Sequence, residues 1–114
     1  MRLAVLFLLL SATWADAETV DVKYRGPVDL KPFACQDITR SSFINRLCYD
    51  APNQYVIVQL NTTYYHYCEM PKPVVDEWLA APSMGRFYNA SIKGTGKDGP
   101  YDCRTHRIPT YEDK

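Results

Sequence analysis

The chain has 114 residues, of which 13 are Lys or Arg and 13 are Asp or Glu, so its formal net charge is zero. That balance argues against a partner captured mainly by long-range charge, such as duplex nucleic acid or an anionic membrane surface. The length leaves room for one small domain, which buries a modest share of its surface and commonly needs covalent reinforcement.

At the N-terminus Arg2 precedes an apolar run from Leu3 to Leu10, then a small polar stretch ending in Ala15-Asp16-Ala17. A basic start, a short apolar run and a small-x-small ending are the three regions of a secretory signal, with cleavage expected after Ala17. The run falls far short of the roughly 20 apolar residues that span a bilayer. No cysteine follows it closely, which argues against a lipid anchor. Residues 1–17 therefore read as a signal peptide, and the mature chain as secreted or periplasmic, without a stable membrane anchor.

Residues 18–38 read as an irregular N-terminal arm, in which Val20, Val22, Tyr24 and Val28 are scattered among charges and two prolines. The core block starts near Thr39-Arg40-Ser41-Ser42. Phe43 to Tyr49 is a first predicted strand, and Asp50-Ala51-Pro52-Asn53 carries strong turn chemistry. Tyr55 to Leu60 is apolar and rich in β-branched residues, as a central strand requires; Asn61-Thr62-Thr63 turns the chain and Tyr64 to Cys68 returns as a third strand. Pro71 and Pro73 end the ladder and suit entry to a helix, in which Val74, Val75, Trp78 and Leu79 recur at helical spacing. Pro82 stops that helix. Ser83 is a good N-cap for a second one carrying Met84, Phe87, Tyr88 and Ile92, which Gly94 ends. Residues 95–114 read as a loop and tail tied down at Cys103. The expected fold is α+β: a three-stranded antiparallel sheet packed by two short helices.

Cys35, Cys48, Cys68 and Cys103 all lie in the mature chain, an even number in a secreted small domain, so two disulfides are expected with three pairings open. In a simple meander, pairing through the two turns sets Cys48 and Cys68 on either side of Val56. They would then be two strand spacings apart, about 9.5 Å, too far for a bridge. That pair survives only if the first and third strands are neighbours. Cys35 and Cys103 look like staples for the tails. The same residues suggest a zinc alternative, His66-x-Cys68 with Cys103-x-x-His106. It lacks the usual Cys-x-x-Cys knuckles, and an oxidising compartment favours disulfides. No cofactor or metal is expected.

Several short motifs stand in order in the core block: Arg40-Ser41-Ser42, Cys48-Tyr49-Asp50, Tyr65-His66-Tyr67, Pro71, and Ser83-Met84-Gly85-Arg86-Phe87-Tyr88-Asn89 with Ile92-Lys93. In their order and spacing they resemble the KTSC domain, a small module named after the C-terminal extension of some lysyl-tRNA synthetases. The resemblance covers residues 39–94. It implies a domain with no assigned reaction, for which nucleic-acid binding has been suggested from its occurrence in a synthetase. Cys48 stands where the family pattern usually has glycine, and Cys68 directly follows the Tyr-x-Tyr. With the signal peptide, these cysteines mark an exported, stapled variant, which argues against an intracellular RNA role.

The candidate binding residues are Tyr65, His66, Tyr67, Gly85, Arg86 and Lys93. On a strand, Tyr65 and Tyr67 share one face and His66 takes the other. Tyrosines on an open sheet face can stack bases, whereas in a domain this small they are needed for packing. If they pack, His66 is expected to face water. Gly85 and Arg86 at a helix start suggest an anion site. Catalysis finds little support. The only histidines are His66 and His106, Ser83-x-Gly85 lacks the rest of a nucleophile elbow, and Gly94-Thr95-Gly96-Lys97 fails as a phosphate loop. Asn61-Thr62-Thr63 and Asn89-Ala90-Ser91 match the glycosylation sequon, which is silent in a periplasm. The reading is a non-catalytic module of the cell envelope that binds an unidentified protein, with nucleic-acid or nucleotide binding through the tyrosines and Arg86/Lys93 as the alternative.

Overall fold

The computed structural model describes residues 18–93 and 99–111. The expected signal peptide and the helix stop at Gly94 lie outside the described residues. Six strands occur in chain order: β1 Thr19–Val22, β2 Gly26–Asp29, β3 Ala34–Asp37, β4 Ile44–Asp50, β5 Tyr55–Leu60 and β6 Thr63–Tyr67. They form one sheet in the order β2-β1-β6-β5-β4-β3, curved into a half-barrel. The helices follow: α1 Lys72–Ala80, the single turn α2 Met84–Phe87, and a wider π-type turn Tyr88–Ile92.

The three predicted strands are the middle of this sheet, with boundaries within one residue of those expected. The expected three-stranded sheet is nevertheless incomplete, because the arm at residues 18–38 supplies three further strands. Thr19-Val20-Asp21-Val22 alternates exposed and buried, the mark of a half-buried strand. A turn closed by Arg25 N donating to Val22 O at 2.9 Å, with Tyr24 at φ 72° and Gly26 at φ 104°, reverses it into β2. The signal is short and punctuated by charges, so local pattern alone reads it as irregular.

The register of the central strands is also one residue off the expected one. Tyr49 and Tyr67, not Cys48 and Cys68, flank Val56. A 3-10 turn at Ala51–Asn53 with Gln54 in left-handed conformation sets the first hairpin. The second turns on two residues, Asn61 and Thr62, with Asn61 at φ 56°. Because side chains alternate, this single step decides which residues meet which core.

There are two cores. On one face α1, α2 and the π-type turn pack Trp78, Met84, Tyr88 and Ile92 over Ile44, Leu47, Val56 and Val58. Trp78 is fully buried, stacks on Phe87 and Tyr88, and donates Nε1–H to Met84 O at 3.1 Å. Arg40 closes the end of α1 by donating to Leu79 O (2.6 Å) and Ala81 O (2.9 Å), which satisfies carbonyls the helix leaves open. On the other face Val20, Val22, Val28 and Leu30 from the arm meet Tyr55, Ile57, Cys68 and Cys103. The arm is thus half of a second core.

The pairing open in the sequence is Cys35–Cys48 and Cys68–Cys103. Cys35 and Cys48 sit directly opposite each other on β3 and β4. Cys68–Cys103 fastens the tail beside the end of β6, and Tyr111 anchors it further by donating to the buried Asp50 carboxylate at 2.5 Å.

Candidate functional site

β1 runs parallel to β6, but the two meet at a single register pair, Val22 with Tyr64. Lys23 N donates to Tyr64 O at 2.8 Å, and the chain then turns away at Tyr24. The edge of β6 is next covered at Cys68, whose N–H donates to Tyr101 O at 2.8 Å. Between these bonds lies a cleft of about 490 Å³. Its walls are Tyr65, His66 and Tyr67 from β6, Tyr24 from the β1–β2 turn, Ile92 from the π-type turn with Lys93 just after it, and Gly99, Asp102, Cys103, Arg104 and Ile108 from the tail.

Four of the six candidate binding residues line this cleft: Tyr65, His66, Tyr67 and Lys93. Gly85 and Arg86 do not. A Cβ on Gly85 would lie 2.7 Å from Cε1 of Phe43, so this glycine serves a close contact between helix and sheet. The N–H of Arg86 is taken by the Ser83 cap at 3.2 Å, within a helix of only four residues.

Tyr65 and Tyr67 pack against the helical core, as their shared face allows. Tyr67 Oη lies 2.5 Å from Tyr88 Oη, and burial pushes both phenols above their usual range. His66 departs from expectation. Its face is not solvent but the second core, because the arm and tail cover that side of the sheet. Its Nδ1 lies 2.8 Å from Tyr55 Oη, which accepts from Arg25 Nη1 at 2.8 Å. Arg25 only donates, so the Tyr55 proton goes to Nδ1 and the ring proton sits on Nε2. Burial, then the Arg25 charge, holds the imidazole below its ordinary pKa, opposed by Asp102. At neutral pH the cleft thus contains a neutral imidazole of fixed tautomer. Arg25 also lies over the rings of Tyr55 and Tyr111, 5.3 and 5.7 Å from their centroids.

The zinc alternative has a geometric basis. Ligand atoms of His66, Cys68 and Cys103 lie within 4.8 Å of one another. The two sulfurs are bonded to each other, however, and a disulfide offers no thiolate. His106 instead places Nδ1 3.0 Å from Asp102 O.

Tyr24 and Ile108 are the large hydrophobics most exposed among the described residues, at 85% and 42%, and both line the cleft. Neither was singled out by the sequence, nor were Arg25, Tyr55 and Asp102. The one local hint was an aromatic residue two positions before a glycine, at the tip of an unrecognised hairpin.

No curated protein sequence matches the chain. The profile of the KTSC domain matches residues 40–95. The crystal structure of a KTSC domain protein from Yersinia pestis aligns with a TM-score of 0.51 and 30% sequence identity, covering 55% of this chain and 89% of that one. The motifs around Tyr65-His66-Tyr67 and Ser83–Asn89 lie within the matched span, while the three arm strands and the tail that complete the cleft lie outside it. The chain belongs to the KTSC domain family.

Proposed function

We propose that this protein is an exported, non-catalytic binding domain of the cell envelope, whose protein ligand sits in the cleft beside β6. The observation that carries the reading is the placement of Tyr24 and Ile108. A folded domain this small has every reason to bury such side chains, yet both stand at one concavity. Tyr24 is also held at φ 72°, a conformation costly for a bulky residue, and such outliers cluster at ligand sites. The two disulfides agree with an oxidising compartment. The neutral overall charge favours a partner recognised by shape and apolar contact.

The test is affinity capture from a native envelope extract, comparing the wild-type chain with Tyr24→Asn/Ile108→Ser. Asparagine tolerates a left-handed backbone, so the turn survives. One protein recovered by the wild type and lost by the variant, with weak salt dependence, supports the proposal. Recovery of oligonucleotides alone, released steeply by salt and lost on mutating Lys93, would replace it with the nucleic-acid alternative.

A further inference from the structure

Hydrogen bonding along β6 alternates sides. In an antiparallel strand the N–H and C=O of one residue point the same way, and those of its neighbours point the other. Tyr64 and Cys68 bond away from β5, to Lys23 and Tyr101. The β5–β6 register runs without interruption from Leu60↔Thr63 to Val56↔Tyr67, so His66 has the same parity as those two. Its N–H and C=O therefore point into the cleft, and among the described residues neither has a backbone partner.

From this geometry we propose that the cleft takes an extended peptide segment that adds to β6 as a short strand, hydrogen-bonded to the His66 N–H and C=O. The inference rests on the cleft being the binding site and names the partner's chemistry. An unmatched donor and acceptor on one strand edge is the pattern that a peptide backbone satisfies with its own donor and acceptor. Tyr65 and Tyr67, the tyrosines on which base stacking would rely, pack against the helical core, and the exposed Tyr24 ring alone satisfies neither His66 backbone group.

The vacancy also sets the length. From Tyr64 to Cys68 is four strand steps, about 13 Å, so about three ligand residues fit between Lys23 and Tyr101. Tyr24 and Ile108 stand at this gap, where side chains of the bound segment would lie. Asp102 and Arg104 are paired at 2.7 Å beside it, and Lys93 is the other charged residue of the lining, so the wall is weakly basic.

The test begins with peptides selected from a random short-peptide display library on the wild-type protein, with counter-selection on Tyr24→Asn/Ile108→Ser. Strand addition predicts enrichment of extended sequences. N-methylation scanned along the peptide should find one position, the residue whose N–H donates to the His66 C=O, at which binding weakens about tenfold, the loss of one hydrogen bond. The His66 amide should become protected from hydrogen exchange in the complex. Selected peptides that need Tyr24 but ignore N-methylation and leave the His66 amide unprotected would overturn strand addition while leaving the cleft as the binding site. Failure to enrich any peptide would overturn strand addition, and the capture experiment would report separately on the cleft. Self-association of the free protein abolished by Tyr24→Asn would assign the gap to a second copy of the chain, and that too would overturn it.

Discussion

Tyr55 Oη stands 2.8 Å from His66 Nδ1, and Arg25 donates to the same oxygen at 2.8 Å. This contact joins the arm, the central strand and the cleft in one chain of hydrogen bonds. Tyr55 is fully buried, so its hydroxyl needs the partners it has. The bond fixes the ring that forms part of the cleft wall.

Stability should fall as the solution becomes acidic across the His66 titration. The folded pKa lies below 6.5 because burial and then Arg25 disfavour the charged ring. Below 6.5 the unfolded chain binds the proton first, so stability is present above that value and lost as pH falls towards the folded pKa. Urea midpoints measured across this range should decline for the wild type and stay flatter for His66→Asn. Glu18 and Asp102, held low by hydrogen bonds from Arg46 and Arg104, act in a separate, more acidic window.

Gly85→Ala should destabilise the fold by about 1–3 kcal/mol, since the added methyl meets the Phe43 ring and a packed aromatic yields little. Phe43→Leu in the same background should recover part of the loss. Urea unfolding reads both.

Arg40→Ala removes two hydrogen bonds to the end of α1 and should cost about 1.5 kcal/mol. Arg40→Lys should rescue it only in part, because an ammonium cannot reproduce the two-armed geometry. The same measurement applies, with helical circular dichroism as a second readout.

Removing either disulfide should be costly, by unequal amounts. The cystine separations are 13 residues for Cys35–Cys48 and 35 for Cys68–Cys103. The chain-entropy estimate gives about 3 and about 4 kcal/mol for loops of those lengths. Paired serine variants compared by thermal unfolding test the order. Loss of Cys68–Cys103 should in addition release the tail that lines the cleft.

The central hairpin, both helices and the need for two bridges were legible because each rests on strong local chemistry: the Tyr55–Leu60 run, Pro71 and Pro73, the Ser83 cap and an even cysteine count. The outer strands were not. Val20 and Val22 alternate over only four residues, and what makes them a strand is burial against Ile57 and Cys68, far along the chain. His66 was misplaced for the same reason, since a strand pattern tells which side chains share a face but not what covers it. The one-residue register shift came from the length of both turns, each closed by a residue in left-handed backbone, Gln54 in the first hairpin and Asn61 in the second. The cleft arises from tertiary contacts between the tip of the arm and the tail, which no local pattern encodes.

Strand addition at the cleft requires the edge of β6 to be open at His66. Residue-resolved amide hydrogen exchange on the free, oxidised protein tests it directly. The His66 amide should exchange at least about a hundredfold faster than those of Tyr65 and Tyr67, whose backbone groups turn inward to β5. Protection of His66 equal to that of its two neighbours would mean the edge is already paired, and would contradict the account.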